Sequence, residues 1–359
     1  MTVVDLFSGC GGFSLGAHAA GLEVKAAFDI DPILTSTFPS NFPRTELILQ
    51  DIASLNGRAV KAATKGRVDG LIGGPPCQGF SAIGRRDAAD PRRRLVMDFF
   101  RLVAELRPAF FVMENVRGLF FEASRVILDD AISGVCNRYR ILGPLMLDAA
   151  RFGAATSRCR LFVIGLDASR CDPLSIEDMQ SLECEPATVR EAIADLSDAL
   201  QIGADSGFDV WKLSRRLRPS AYAAGLRAPD GKFTGHRRTE HTAEVVRRFK
   251  RVKPGQVDKI GRHPRLSWDG QCPALRAGTG ADRGSYQSVR PIHPAEPRVI
   301  TVREAARLQG FPDFFRFHPT VWHSFRMIGN SVSPIVARAI LTAIASRTDV
   351  PRRTMVAAE

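Results

Sequence analysis

The chain has 359 residues, 45% of them apolar, with 30 Gly, 22 Pro and 7 Cys, a composition that excludes a disordered, collagen-like or disulfide-scaffold protein. That length exceeds the roughly 250–300 residues at which a single core stops growing, so one large and one smaller domain are expected. The formal net charge is +12, but Trp211–Ile300 holds 20 Lys/Arg against 7 Asp/Glu, a net of +13, and the other 269 residues sum to −1.

A near-neutral body with one strongly basic insert is the electrostatic footprint of a polyanion-binding protein; the alternative is a solvated, Arg-rich loop. No C-x-x-C pair occurs, so neither a disulfide framework nor a zinc site is expected. The C-terminal apolar run Ser333–Ser346 is broken by Arg338 and falls short of the roughly 18 residues of a membrane span. The N-terminus opens directly on a strand-like segment. The expectation is a soluble intracellular protein with no membrane partner.

In chain order, short apolar runs bounded by Gly, Asp or Pro read as strands at Thr2–Phe7, Val24–Asp29, Val68–Gly73, Ala109–Glu114 and Leu161–Gly165. Helical patterns lie between them, clearest at Leu95–Leu106, which stops before Pro108. Strands alternating with helices predict an α/β fold with a doubly wound, mostly parallel sheet. The rhythm is lost after about Leu196 and returns with Val302–Gln309 and Pro334–Ala345. The basic insert therefore interrupts an α/β domain that resumes at the C-terminus.

Five strand ends carry candidate chemistry. The first strand runs into Asp5–Gly12 (DLFSGCGG), where Gly9, Gly11 and Gly12 allow a tight turn and close approach of a ligand; Ser14 in place of a third spaced Gly excludes the dinucleotide fingerprint. Asp29 at the end of the second strand suits ribose hydroxyls, and Asp51 after the next suits an adenine amino group. Together they suit an adenosine-bearing ligand or ordinary turn chemistry. Gly73–Ser81 (GGPPCQGFS) fixes the backbone with two prolines just before Cys77, which is either a nucleophile or a small buried hydrophobe. Phe111–Val116 (FVMENV) sets Glu114 at a strand end, where a protonated carboxyl beside a thiol recognises and polarises a pyrimidine.

These motifs, with Ser157–Gly165 (SRCRLFVIG), Arg298–Asp313 (RVITVREAARLQGFPD) and Ile328–Pro334 (IGNSVSP), occur in an order that resembles the bacterial-type DNA cytosine carbon-5 methyltransferases, over nearly the whole chain. The resemblance implies a class I methyltransferase sheet with a basic target-recognition domain, divided as residues 1–196, 197–299 and 300–359. It implies S-adenosyl-L-methionine as cofactor, S-adenosyl-L-homocysteine as product, and no metal. It implies that Cys77 attacks carbon 6 of a flipped cytosine while Glu114 holds the base, with Arg160 at its carbonyl and Arg158 beside it. The cofactor pocket it implies is Phe7, Gly9, Gly11, Gly12, Asp29, Ile30, Asp51, Ile52, Pro76 and Leu95, closed by Asn330, Ser331 and Val332. DNA contacts are expected from Ser81, Arg85 and Arg86 in the Gln78–Arg94 loop, and from Arg237 and Arg238 in the insert.

Double-stranded DNA is the expected partner, with a cognate restriction endonuclease as a functional one and a cytoplasmic, nucleoid-associated location. Asp29 stands where the family more often has Glu, and Thr156 where a Gln often stands. The tRNA-acting branch carries a Cys-Phe-Thr tripeptide; Cys272 here is followed by Pro273. A non-catalytic relative would lack Cys77 or Glu114, and both are present.

Overall fold

The structure, a computed structural model, describes residues 1–76, 94–214, 216–277 and 289–348, the side chains of 122–124 excepted. Cys77, Ser81, Arg85 and Arg86 lie outside the described residues.

The elements run β1 (Thr2–Leu6), α1 (Gly12–Ala19), β2 (Glu23–Asp29), α2 (Phe38–Asn41), β3 (Glu46–Leu49), α3 (Gly57–Ala63), β4 (Gly70–Gly73), α4 (Arg94–Leu106) and β5 (Phe110–Asn115). There follow α5 (Glu122–Ser133), β6 (Tyr139–Asp148), β7 (Thr156–Ser157), β8 (Cys159–Asp167), α6 (Ile176–Gln180) and α7 (Val189–Ile193). The insert holds β9 (Leu200–Asp205), β10 (Phe208–Lys212), α8 (Ala221–Leu226), β11 (Lys232–Thr234), α9 (Ala243–Arg251) and β12 (Cys272–Pro273). The chain returns through α10 (Val302–Leu308), α11 (Val321–Asn330) and α12 (Pro334–Ala345).

Seven strands form the main sheet in the order β3-β2-β1-β4-β5-β8-β6. β1 and β5 are buried at every position, as parallel strands covered on both faces must be. On one side α4 buries Val96, Phe99, Phe100, Val103 and Leu106, a stripe at helical spacing. On the other, α1 meets α12 with almost no side chain between them: a Cβ on Gly16 would lie 2.3 Å from the Ala337 Cβ and 2.9 Å from the Pro334 carbonyl oxygen. The returning segment is thereby locked onto the first helix.

One strand departs from the expectation. Leu161–Gly165 was grouped with the parallel strands, yet β8 runs antiparallel to both β5 and β6. The reason is the connection. Residues 149–158 between β6 and β8 number ten and contain no helix able to carry the chain back across the sheet, so the next strand pairs in reverse. Thus β8 starts where β5 ends, with Asn115 opposite Leu161.

The C-terminal run is also longer than expected. Val321–Ala345 spans 25 residues, its most apolar 18-residue window has a mean hydropathy of 1.4, and by length and composition it suffices to cross a membrane. It is broken between α11 and α12 at Ser331–Ser333, and 61% of its most apolar window is buried against the rest of the chain.

The insert, read as irregular, contains the antiparallel sheet β11-β10-β9. It sits on the returning segment through buried polar groups. His236 bridges the Thr301 hydroxyl (3.0 Å) and the Leu196 carbonyl (3.2 Å). Arg303 donates to the carbonyls of Thr234, Pro312 and Phe315; beside it Arg307, clamped between Asp195 and Asp313, ties the returning segment to the residues just before the insert. Trp211 and Trp268 pack partly buried against the same apolar cluster, whereas Tyr286 lies outside the described residues.

Candidate active site

The site is built at the C-terminal edge of β1, β2, β4 and β5, where loops leave a parallel sheet and ligands bind. After β1 the chain turns through Phe7, Gly9 and Gly11 at φ values of +58°, +51° and +93°. The left-handed geometry is costly for Phe7, and the turn is held by the backbone N–H of Ser8 on the Phe28 carbonyl and of Gly9 on Asp29 Oδ2 (2.8 Å). Asp29 Oδ1 takes the N–H of Asp31, so this acid organises two loops and keeps lone pairs on both oxygens. Burial pushes its carboxyl above the usual range.

Beside Asp29, Ile30 is a large apolar side chain left 66% exposed, and Asp51 is exposed at the next turn. An acid, an exposed apolar side chain and a second acid along adjacent strand ends fit the ribose and ring of an adenosine. Ile52 points inward at 2% exposure, so only its backbone is available to a ligand. Pro76 and Leu95 are both half-buried. The last motif closes on the first: Ser331 and Val332 are buried, Asn330 is exposed, and a Cβ on Gly12 would lie 1.8 Å from Ser331 Oγ and 2.4 Å from the Val332 carbonyl. Glycine at position 12 is required by that contact.

Glu114 is the second last residue of β5 and 7% exposed. Burial raises its pKa above the usual carboxylate range, and the charges of Arg160 and Arg158 work in the opposite direction. Arg160 Nε lies 3.3 Å from Glu114 Oε1, an oxygen that has no hydrogen-bond partner among the described residues. A buried carboxyl oxygen left unsatisfied costs free energy unless a ligand completes it. Gly74 lies against the other oxygen: a Cβ there would be 3.2 Å from Glu114 Oε2.

The approach to Cys77 is tethered by a residue that sequence reasoning did not single out. Asn115, 1% exposed, donates from Nδ2 to the Pro75 carbonyl (3.2 Å) and accepts the Val116 N–H on Oδ1 (2.8 Å). Its place beside Glu114 in FVMENV was the available signal.

The two arginines of SRCR part company. Arg160 turns to Glu114, whereas Arg158 is 3% exposed and donates to the carbonyls of Leu275 and Gly329. Both line, with Glu114, Phe162 and Val332, a cavity of about 10 Å³, room for one water.

In the insert, Asp209 accepts the N–H groups of Gly235, His236 and Arg237 and fixes that turn. Arg237 and Arg238 have exposed side chains, and Arg238 Nη1 pairs with Glu296 at 3.0 Å.

A family model for C-5 cytosine-specific DNA methylase matches residues 1–346. The Type II methyltransferase M.XorII of Xanthomonas oryzae pv. oryzae is 40% identical over 368 residues, 94% of this chain and 82% of that protein. The Type II methyltransferase M.DdeI of Desulfomicrobium norvegicum is 33% identical over 378 residues, 95% and 87% of the two chains. The crystal structure of a prophage-encoded DNA modification methyltransferase (E. coli) superposes with a TM-score of 0.84 at 40% identity, covering 96% of this chain and 99% of that one. The S. pombe Dnmt2 methyltransferase, at 18% identity and a TM-score of 0.65, shares the fold.

Proposed function

Because the chain belongs to the C-5 cytosine-specific DNA methylase family and is a DNA cytosine carbon-5 methyltransferase, we propose the following division of labour among its residues. The observation that carries it is Glu114, a buried carboxyl with an unsatisfied oxygen, at the end of β5 and tied through Asn115 to the loop leading to Cys77.

Methyl transfer to carbon 5 requires an electron-rich carbon, and the carbon 5 of an aromatic cytosine is not one. The Cys77 thiolate adds to carbon 6 of a flipped cytosine, breaking the ring's conjugation. Glu114, kept protonated more readily by its burial, donates to ring nitrogen 3 and accepts from the exocyclic amine, so the electron pair of the addition is accommodated across the ring. Arg160 takes the base's carbonyl oxygen. S-adenosyl-L-methionine, when bound, supplies an electrophilic methyl group on a sulfonium. Loss of the carbon 5 proton then re-forms the double bond and expels the Cys77 thiolate.

The cofactor is held by Asp29 at the ribose, Ile30 and Asp51 at the adenine, the Phe7–Gly12 turn at the methionine end, and Asn330–Val332 as the closing wall; Pro76 and Leu95 flank it. Residues 1–196 and 300–359 form the catalytic domain, and 197–299 read the DNA, with Arg237 and Arg238 among the contacts. Ser81, Arg85 and Arg86 close over the flipped base. A cognate restriction endonuclease recognising the same sequence is the functional partner.

The test is methyl transfer from labelled cofactor to duplex DNA and, in parallel, to tRNA. Label in DNA that bisulfite sequencing places at one cytosine of a fixed sequence supports the reading. Label confined to tRNA contradicts it.

A further inference from the structure

Arg158 stands at a three-way junction. Its backbone N–H donates to Asp148 Oδ1 at 2.8 Å, its Nη1 to the Leu275 carbonyl at 3.2 Å, and its Nη2 to the Gly329 carbonyl at 2.9 Å. One planar guanidinium thus ties the start of β8 to the segment that follows β12 in the insert and to the end of α11, one residue before Asn330. The joint has no slack. A Cβ on Gly329 would lie 2.4 Å from the Ala277 nitrogen and 2.5 Å from the Arg276 carbonyl carbon. Thr156 Oγ1 donates to the Cys272 carbonyl (3.0 Å) and Cys272 N–H to the Ala155 carbonyl (2.9 Å), while Gln309 Nε2 holds the carbonyls of Ile328 and Ser331.

We propose that Arg158 is a positioning residue: it sets the insert's β12 segment and the cofactor-closing end of α11 in register with Glu114, and it does not contact the reacting base. The two carbonyls it serves lie on opposite sides of the joint, so the guanidinium's fixed fork spans a gap that a single ammonium cannot. Glu114 and Arg160 share the adjoining cavity, so a shift of the joint reaches the catalytic carboxyl directly. The consequence for DNA rests on the reading of the insert as the DNA-reading part.

The experiment compares Arg158→Lys with Arg160→Lys in the full chain. Amide hydrogen exchange at Cys272 and Ser331 is measured without DNA, and kcat, KM for duplex DNA and the pH profile of kcat are measured with it. For Arg158→Lys, exchange at Cys272 rises and KM for DNA rises, each about tenfold, because two buried carbonyls lose their donor. Its kcat falls by less than KM rises, because the joint also adjoins Glu114, and the pH profile keeps its wild-type midpoint because the charge at position 158 is retained. Arg160→Lys lowers kcat and leaves the exchange unchanged.

Wild-type exchange at Cys272 in Arg158→Lys overturns the proposal, as does a fall in kcat with unchanged KM and a displaced pH profile, which marks contact with the base. Faster exchange with wild-type KM upholds the joint and overturns the DNA-reading role of the insert. Should Arg158→Lys fail to fold, Gly329→Ala opens the same joint from its other side and must raise both exchange and KM.

Discussion

Glu114 and Arg160 face each other at 3.3 Å across antiparallel strands, yet Glu114 Oε1 has no hydrogen-bond partner among the described residues. An ion pair with spare acceptor capacity in a buried site suits a carboxyl that must also bind a substrate. Replacing Glu114 by Gln keeps the shape and a donor, but an amide N–H is too weak an acid to give ring nitrogen 3 a proton as a carboxyl does. The expected loss is about 10²–10⁴-fold in kcat, with cofactor affinity retained. Calorimetric titration with S-adenosyl-L-methionine alongside turnover checks this; weaker cofactor binding with undiminished kcat would contradict it.

Asp5 makes stability depend on pH. Burial, reinforced by the nearby Asp29 charge, lifts its pKa from 3.8 to about 7, against the Ser14 hydroxyl that donates to it. A raised carboxyl means that the folded state binds the proton more tightly than the unfolded one. Its contribution to stability is therefore fullest below pH 3.8 and is lost as pH rises to about 7. Asp5→Asn should flatten the decline in thermal stability across that window while leaving the Ser14 hydrogen bond an acceptor. Parallel melting curves at pH 5 and pH 8 decide it, an unchanged difference between the two being the adverse result.

Gly12→Ala places a methyl group 2.4 Å from the Val332 carbonyl and against Ser331 Oγ. Overpacking of this kind costs about 1–3 kcal/mol and pushes the closing segment off the first loop. Both melting temperature and cofactor affinity should fall. A variant as stable as wild type, binding cofactor equally well, would separate Asn330–Val332 from the pocket.

The sequence revealed the strand-end loops because Gly, Pro and Asp mark them, and β1, β2, β4 and β5 formed within two residues of expectation, whereas β3, which leads to Asp51, carried no expected bounds. The direction of β8 was not legible. An apolar run such as Leu161–Gly165 looks the same whichever way it pairs, and only the short 149–158 connection decides. That direction matters, since a parallel β8 would set Arg160 at the far edge from Glu114. β9 differs: Leu200, Ile202 and Ala204 alternate with Gln201, Gly203 and Asp205, but every one of its residues is exposed, so the alternation marks no buried face. The task of Arg158 was invisible because its partners are backbone carbonyls more than a hundred residues away.

Arg237 and Arg238 differ in their engagement, and salt titrations should separate them. Arg237 is anchored by its backbone on Asp209 with its side chain exposed; Arg238 is paired with Glu296. If Arg237 contacts a phosphate, Arg237→Ala lowers the slope of log affinity against log salt by about 0.9. If it contacts a base, the slope holds and the methylated sequence relaxes. Arg238→Ala should change the slope less, because Arg238 is already paired with Glu296 within the chain. Equal and negligible effects from both would exclude this turn from the DNA interface.

Covalent catalysis by Cys77 in partnership with Glu114 can be caught by trapping on duplex DNA whose target cytosine carries fluorine at carbon 5. Fluorine cannot leave as the proton does, so the Cys77 adduct is not released. Wild-type protein with S-adenosyl-L-methionine should form a denaturant-stable, one-to-one protein–DNA complex, and Cys77→Ser, folded and still binding the duplex, should form none. A Cys77→Ser protein trapped at the wild-type rate would rule out Cys77 as the nucleophile.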